Sequence, residues 1–346
     1  MFLGLLLAAL GGGLDASQAL IMGLAKRWRW ESIWLVWAVF GCLVLPWAAA
    51  FLFLRNPSPI EVFRNVPSES LTQVILFGAG WGIGAILFGL GIVRVGMGLG
   101  LGITVSLTAA NGAVLPLAQK SSQILLSPEA VIIYAAVVLL VLGIVLCSLA
   151  AYGRTEEKPL LEREATSFAA GVICCIASGF TSPMINLAFS NGIQLNHEAE
   201  KLGASPLAAG MAPVALIMSS GFVVNAVYFV YLLNRNRSWQ DYALSDTTSH
   251  WFFGMMMGLL QMAAFLLYSV AATRIDRSTS LGGAVLGWPV YTASVILVGN
   301  LEGLLRGEWR GSDRRTFILL AAGLALLLVA STVVVGLGSY LAWTAS

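Results

Sequence analysis

Ten runs of about 20 mostly apolar residues follow one another along this chain, and they constrain its fold more than any other feature. A helix needs roughly 20 consecutive apolar residues to cross the hydrocarbon core of a bilayer. The chain is 58% hydrophobic and only 10% charged, whereas soluble domains carry about 25% charged residues. We therefore predict an all-α, multi-pass membrane protein with ten transmembrane helices. The predicted spans are 1–23, 33–54, 73–93, 96–118, 130–152, 168–193, 207–233, 251–272, 279–301 and 317–341.

The most charged central connection runs from Arg154 to Glu164, between the fifth and sixth predicted spans. It divides the chain into a first five-helix half of residues 1–152, a connector of residues 153–167, and a second five-helix half of residues 168–346. Because each half has an odd number of spans, the second half enters the membrane from the side opposite to the first. If the halves are homologous, they form two inverted repeats, a common plan of secondary transporters.

The distribution of Lys and Arg among the loops predicts the orientation in the membrane. Loops that follow the odd-numbered spans carry 13 of the 19 Lys and Arg residues. An excess of positive charge marks the cytoplasmic loops of membrane proteins. We therefore expect a protein of the cytoplasmic (inner) membrane with a cytoplasmic connector and both chain termini on the outer side.

A glycine-rich stretch, residues 77–102, covers the third and fourth spans. Glycines four residues apart let membrane helices approach each other closely. The pairs with this spacing are Gly78 and Gly82, Gly80 and Gly84, and Gly98 and Gly102. Such faces serve contacts within one chain or between two chains, so the sequence leaves a homodimer open.

Several functional classes lack their sequence signatures. The four cysteines lie inside apolar runs without the spacing of a metal site or a disulfide framework, and we expect no metal and no cofactor. The chain contains no Walker A pattern, which excludes ATP as a driving force within this chain. His197-Glu198 does not begin a zinc-protease motif, because Lys201 occupies the place of the second histidine. Nothing in the composition indicates nucleic-acid binding.

Segments spread over nearly the whole chain resemble the L-rhamnose/proton symporter family, within the drug/metabolite transporter superfamily. These segments are rich in Trp, Gly and charged residues and lie both inside the predicted spans and between them. They are Lys26-Arg27-Trp28-Arg29-Trp30-Glu31 with Trp34, Leu45-Pro46-Trp47, the run from Phe77 to Gly84, Gly89-Leu90 with Arg94 and Gly96-Met97, His197-Glu198-Ala199 with Leu202-Gly203 and Pro206, and Gly307-Glu308-Trp309. The resemblance implies ten helices in two inverted five-helix repeats, with uptake of a deoxysugar driven by protons.

Two other function classes compete with a proton-coupled sugar symporter. Export of a drug or metabolite is the closer rival, because an exporter also uses a carboxylate inside the membrane. A membrane-embedded enzyme is less favoured, because such chemistry usually needs a metal motif, a His/Asp pair or an activated nucleophile. The sequence contains no DxD motif, and we therefore predict that the protein is not an enzyme.

Asp15 is the clearest candidate for proton coupling, since a carboxylate in the middle of a span is costly unless it has a function. Gln18 follows one helical turn later on the same face. Glu31, His197 and Glu198 are further candidates, because they lie at span ends where protons can enter or leave. Each has a structural alternative. Asp15 can be bonded to its neighbours at a helix junction, Glu31 can pair with a base or cap a helix, and His197 with Glu198 can be an interfacial pair.

A sugar site needs an aromatic platform and a few amides or hydroxyls in a mostly apolar cleft. Polar and aromatic side chains near the middle of the spans are therefore candidates. They are Gln18, Trp81, Thr104, Thr108, Asn111, Ser182, Asn186, Asn225, Gln261 and Trp288. Each of them alone is more often an interhelical hydrogen bond than a ligand contact. Together they predict a polar layer near the middle of the membrane, where transporter sites usually lie.

Overall fold

The fold is known from a computed structural model that describes residues 1–22, 24–95, 97–154, 165–307 and 309–344. Gly96, Glu308 and residues 155–164, which form most of the predicted connector, lie outside the described residues. All regular structure in the described ranges is helical, as predicted. The helices are α1 (Phe2–Ala16), α2 (Gln18–Met22), α3 (Trp30–Trp37), α4 (Leu45–Phe53), α5 (Pro59–Asn65), α6 (Ser68–Val95), α7 (Met97–Ala118), α8 (Ser122–Leu125), α9 (Pro128–Arg154), α10 (Ala165–Thr181), α11 (Met184–Lys201), α12 (Pro206–Ala209), α13 (Met211–Asn236), α14 (Thr248–Asp276), α15 (Gly283–Leu305) and α16 (Arg314–Thr344).

By length and composition, nine helical segments within the described ranges can cross a membrane. A multi-pass membrane protein is therefore confirmed. The nine segments are Phe2–Met22, Trp30–Phe53, Ser68–Ile92, Pro128–Ala151, Phe168–Lys201, Pro206–Asn236, Thr248–Asp276, Gly283–Leu305 and Arg314–Leu337. The predicted span 96–118 corresponds to α7, whose apolar part Gly102–Ala118 is shorter than the others.

Three of the membrane segments are interrupted, one of them near its end and two near their middle. The first segment breaks at Ser17, between α1 and α2. The segment that contains α10 and α11 breaks at Ser182 and Pro183, where proline cannot continue the hydrogen-bond ladder of the preceding helix. Between α3 and α4, residues Ala38–Val44 form a π-helical stretch. Interruptions of this kind free backbone groups and are frequent at functional sites.

The glycines of α6 serve packing inside this chain. A Cβ atom at Gly82 would come within 2.9 Å of the Gly221 carbonyl oxygen on α13, and Gly78 lies equally close to the same helix. On the other face of α6, a Cβ atom at Gly84 would come within 2.5 Å of the Ser182 backbone nitrogen. Small residues thus let α6 approach α13 and the break between α10 and α11 at backbone distance.

Helices α13, α14 and α15 form the most buried part of the bundle, and the interrupted segments pack against them. Helix α1 packs against α14 and α15, while α10 packs against α6 and α7. Helices α9 and α16 pack mainly against each other. The buried core between the central helices includes large aromatic side chains, among them Trp37, Phe189 and Tyr268. This arrangement brings α1, α11, α14 and α15 together around the residues described next.

Candidate functional site

The Asp15 carboxylate lies in the last turn of α1 and is half-buried. Its Oδ1 atom accepts hydrogen bonds from Gln18 Nε2 at 2.5 Å and from Gln261 Nε2 at 3.0 Å. Gln18 Nε2 also lies 2.9 Å from Gln261 Oε1. This contact closes a hydrogen-bonded ring of the three side chains Asp15, Gln18 and Gln261, here called the Asp15 ring. Helix α1 ends directly after Asp15, so Gln18 at the start of α2 can turn back toward the carboxylate. The structure therefore brings together the predicted Asp15, Gln18 and Gln261.

Glycines of α1 place Asp15 beside α15. A Cβ atom at Gly12 would collide with the carbonyl oxygen of Tyr291, and one at Gly11 would come within 3.3 Å of the Tyr291 ring. Gly11 and Gly12 precede Asp15 by one helical turn and share its face. The Tyr291 hydroxyl faces the Asp15 carboxylate. It is buried and forms no well-aligned hydrogen bond with any described residue.

A continuous row of aromatic rings, here called the aromatic row, leads away from Asp15 through the core. Its members come from α3, α6, α11, α14 and α15. Successive ring centroids lie between 4.7 and 6.5 Å apart, and all but one pair are tilted or edge to face. The aromatic row consists of Trp34, Trp37, Trp81, Phe265, Phe189, Tyr268, Tyr291 and Trp288. It includes the predicted Trp81 and Trp288.

Asn186 and Trp288 fix the end of the aromatic row nearest to Asp15. Asn186 is fully buried, and its Oδ1 accepts a hydrogen bond from the Tyr268 hydroxyl at 2.5 Å. Its Nδ2 donates to the carbonyl oxygens of Gly112 at 2.6 Å and Ala284 at 3.1 Å. Trp288 Nε1 donates to the Thr108 carbonyl oxygen at 3.2 Å. These bonds hold α7, α11, α14 and α15 in one arrangement around the rings.

The other predicted polar residues of α7 and α10 bond mainly to backbone. Thr104 Oγ1 donates to the Cys175 carbonyl oxygen at 3.2 Å, and Asn111 Nδ2 donates to that of Gly179 at 3.1 Å. Ser182 Oγ pairs with Ser178 Oγ at 3.1 Å. In contrast, Thr108 Oγ1 is buried and has no hydrogen-bond partner among the described residues. These contacts join α7 to α10, and they do not touch the Asp15 ring.

Asn225 occupies a separate position on α13. It is fully buried, and its Nδ2 donates to the Gly221 carbonyl oxygen of its own helix at 2.9 Å. Its Oδ1 is buried and has no partner within the described ranges. Gly221, one turn earlier, packs against the Trp81 ring. Asn225 therefore lies near Trp81 in the aromatic row and not near Asp15.

Glu31, His197 and Glu198 lie apart from Asp15. Glu31 is 1% exposed, and its Oε1 accepts hydrogen bonds from Asn236 Nδ2, the last residue of α13, at 2.9 Å and from Ser238 Oγ, just after α13, at 2.6 Å. Glu198 pairs with Lys201 at 3.3 Å. His197 is exposed and accepts a hydrogen bond from Arg277 Nε at 3.4 Å.

Sequence reasoning missed several residues at this site. Tyr291 follows Trp288 by three residues and Phe265 follows Gln261 by four, so helical spacing from residues already chosen could have found both. No sequence signal places Phe189 in the same row. Sequence also did not reveal that Ser17 Oγ donates to Glu302 Oε1 at 2.6 Å, which ties the break after α1 to the end of α15. Among the described residues, no three His, Cys, Asp or Glu side chains are grouped as metal ligands.

Comparison with known proteins identifies the family. The sequence profile of the L-rhamnose-proton symport protein (RhaT) family matches residues 1–341. The chain belongs to this family. It is 26% identical over 321 residues to an L-rhamnose-proton symporter of Yersinia pestis (strain Pestoides F), with 90% of this chain and 91% of the relative covered. It is also 26% identical over 323 residues, with the same coverage, to an L-rhamnose-proton symporter of Escherichia coli (strain 55989 / EAEC). Membership of this family makes the protein a transporter and not an enzyme.

Proposed function

We propose that this protein carries L-rhamnose or a related sugar together with protons across the cytoplasmic membrane, by alternating access. The names of the relatives support the substrate and the coupling ion. The observation that carries the proposal is the Asp15 ring, in which one half-buried carboxylate meets two amides at the end of the aromatic row. Amides recognise sugar hydroxyls, aromatic rings cover the apolar faces of a sugar, and a carboxylate takes up a proton. Export of a drug or metabolite is not favoured by the relatives' names.

In the proposed cycle, the protein binds a proton at Asp15 and a sugar beside it in the state open to the outside. It releases both in the state open to the inside. Gln18 and Gln261 orient the carboxylate and offer amide groups to sugar hydroxyls. Trp81 and Trp288 provide apolar surface along the aromatic row. Because Asp15 lies on α1 while Gln261 lies on α14, its hydrogen bonds connect residues 1–152 with residues 168–346. A change in its protonation therefore acts on the contact between the two halves.

We further infer ten membrane helices in two inverted repeats, with α7 as the fourth helix and residues 153–167 as the connector. Corresponding helices have similar lengths, with 28 residues in α6 against 29 in α14 and 22 in α7 against 23 in α15. Both α7 and α15 contain an interior proline, Pro116 and Pro289. Helix α1 packs against α14 and α15 in the same way that α10 packs against α6 and α7. The first helical segment of each half is broken, at Ser17 and at Pro183.

The charge distribution supports the orientation within this proposal. Loops after the odd-numbered predicted spans carry 13 of the 19 Lys and Arg residues, which favours a cytoplasmic connector and both termini on the outer side. The repeat pattern is also consistent with membership of the drug/metabolite transporter superfamily.

The decisive experiment is uptake of labelled L-rhamnose into proteoliposomes with an imposed pH gradient. We expect accumulation of the sugar that collapses when a protonophore is added. Accumulation that survives the protonophore would remove the proton as coupling ion. No accumulation by folded protein would remove L-rhamnose as the substrate, and a panel of other sugars would then be screened by thermal stabilisation.

A further inference from the structure

We propose that the Tyr291 hydroxyl switches its hydrogen bond between Asp15 and the substrate according to whether Asp15 is protonated. This inference rests on the proposed function, because it assigns to Tyr291 the step that connects the proton with the sugar. It starts from an unusual feature of the core. Tyr291 is only 3% exposed, yet its hydroxyl forms no well-aligned hydrogen bond with any described residue. A buried hydroxyl without a partner is costly, and such groups in native proteins often have a functional explanation.

The two oxygens of Asp15 are used differently. Gln18 and Gln261 both donate to Oδ1, whereas Oδ2 accepts no hydrogen bond from the described residues. The Tyr291 hydroxyl faces this carboxylate. An ionised Asp15 can only accept hydrogen bonds, so the Tyr291 hydroxyl is the donor between these two groups. The carboxylate then has donors from α1–α2, α14 and α15.

Protonation of Asp15 reverses this relation without moving the Tyr291 proton. A protonated Oδ2 is itself a donor, and the Tyr291 oxygen can accept from it. The Tyr291 hydrogen is then free to bond to another acceptor, and a sugar hydroxyl beside the Trp288 ring offers one. Protonation thus prepares a donor for the substrate, and a proton leaving Asp15 withdraws that donor. This exchange gives the order expected of a symporter, in which the protonated protein binds sugar more tightly.

The packing around Tyr291 fixes the ring and leaves only the hydroxyl free to respond. The ring stacks on Trp288 at a centroid distance of 5.6 Å and meets Tyr268 edge to face at 5.0 Å. On the α1 side, Gly11 and Gly12 lie against it. Among the described groups that face this pair, Tyr268 on α14 is the other titratable one, and its hydroxyl is bonded to Asn186. Glu302, further along α15, is bonded to Ser17. From α7 and α11, the polar groups that contact the neighbouring rings are the Thr108 carbonyl oxygen on Trp288 and the Asn186 amide on Tyr268, and neither is titratable.

The test compares Tyr291→Phe with the wild type, since phenylalanine keeps the ring and removes only the hydroxyl. The first measurement needs no substrate: thermal unfolding of the purified full-length protein is followed across pH. The pH-dependent change in Tm that is present in the wild type and absent from Asp15→Asn reports the protonation of Asp15. We expect Tyr291→Phe to move that transition to higher pH by about one unit, because one hydrogen bond to the charged carboxylate is lost. Tyr134→Phe, which removes a hydroxyl bonded to the Leu125 carbonyl oxygen on α8, serves as the matched control and keeps the wild-type profile.

The second measurement is sugar exchange in proteoliposomes on both sides of the transition. We expect Tyr291→Phe to raise the half-saturating sugar concentration about three- to tenfold at the acidic side and much less at the alkaline side. A Tyr291→Phe profile that superimposes on that of the wild type would overturn the inference, and so would an Asp15→Asn profile identical to that of the wild type. Absence of L-rhamnose transport by the wild type would instead reject the proposed function, and the unfolding profile would still decide the role of Tyr291.

Discussion

Asp15 and Glu31 are both carboxylates inside the protein, but they sit at opposite ends of helices. Glu31 lies in the first turn of α3, where the helix dipole is positive and stabilises a negative charge. Asn236, the last residue of α13, and Ser238, two residues later, donate to it. Asp15 lies in the last turn of α1, where the dipole is negative and disfavours the ionised form. Its two hydrogen-bond donors come from separate elements, Gln18 on α2 and Gln261 on α14.

This difference shows that depth of burial does not by itself identify a coupling residue. Glu31 is more deeply buried than Asp15, yet its two donors, Asn236 and Ser238, lie only two residues apart in sequence. Asp241 completes the same network, accepting hydrogen bonds from the Arg29 backbone nitrogen at 3.0 Å and Ser32 Oγ at 2.9 Å. The hydrogen bonds of Glu31 and Asp241 therefore connect the start of α3 with the end of α13 and the segment after it. Asp15 combines an opposing helix dipole with an oxygen that no described residue binds, and both features favour a change of protonation.

The largest effect should follow from Asp15→Asn. The amide oxygen of asparagine still accepts from Gln18 and Gln261, but the side chain no longer binds or releases a proton. We expect loss of sugar accumulation under a pH gradient, while exchange of labelled for unlabelled sugar continues. Proteoliposome uptake and exchange measure the two activities separately. Loss of both accumulation and exchange, or of neither, would contradict the coupling role of Asp15. Asp241→Asn, which changes a carboxylate near Glu31, is the control variant.

Glu31→Gln should give the next largest effect, and in stability instead of coupling. Hydrogen bonds to a charged group contribute about 1.5–3 kcal/mol, and the substitution removes the charge while keeping the shape. We expect the apparent Tm to fall by a few degrees, with unchanged accumulation per folded molecule. Glu69→Gln is the matched control, because Glu69 also lies in a first helical turn but is exposed. Unchanged Tm with lost accumulation would transfer the coupling role to Glu31.

A smaller effect is expected from Trp81→Ala, which removes one ring from the aromatic row. An aromatic contact contributes roughly 0.5–1.5 kcal/mol beyond its buried area, which corresponds to a rise of about three- to tenfold in the half-saturating sugar concentration. Coupling should persist, because Asp15 is unchanged. Asn111→Ala is the comparison within the predicted site, since its amide already bonds to the Gly179 carbonyl oxygen. If Asn111→Ala weakens binding and Trp81→Ala does not, the sugar site lies beside α7 and not along the aromatic row.

Sequence predicted the helical class and most helix positions because a membrane span needs a long apolar run, which one sequence shows directly. It also predicted that Asp15 and Gln18 share a face, because helical spacing is local. It could not predict that Gln261, more than two hundred residues later, completes their ring, since that depends on how α1 packs on α14. The role of Gly11 and Gly12 was hidden for the same reason. They are the places where Tyr291 lies against α1.

The polar residues of α7 were predicted to be near the substrate, but they do not join the Asp15 ring. Thr104, Thr108 and Asn111 share a face, as their spacing predicted, but Thr104 and Asn111 bond to carbonyl oxygens of α10. The predicted spans 1–23 and 168–193 ran unbroken through Ser17 and Pro183, although a proline marks the second position and a helix junction at Asp15 was the structural alternative. Local chemistry therefore predicts which faces are polar. It does not predict whether a neighbouring backbone or a substrate uses them.

The smallest effect should come from His197→Ala. His197 is exposed at the end of α11, and its described partner is Arg277, which also binds Glu200 at 2.8 Å. Because exposed pairs of this kind contribute about 0–1 kcal/mol, we expect nearly unchanged Tm and unchanged accumulation at every pH gradient tested. Glu198→Gln, which breaks the pair with Lys201, should behave in the same way. Loss of accumulation with intact exchange in His197→Ala would mean that protons reach Asp15 through this end of α11. Proton coupling would then depend on an exposed residue, His197, as well as on the Asp15 carboxylate.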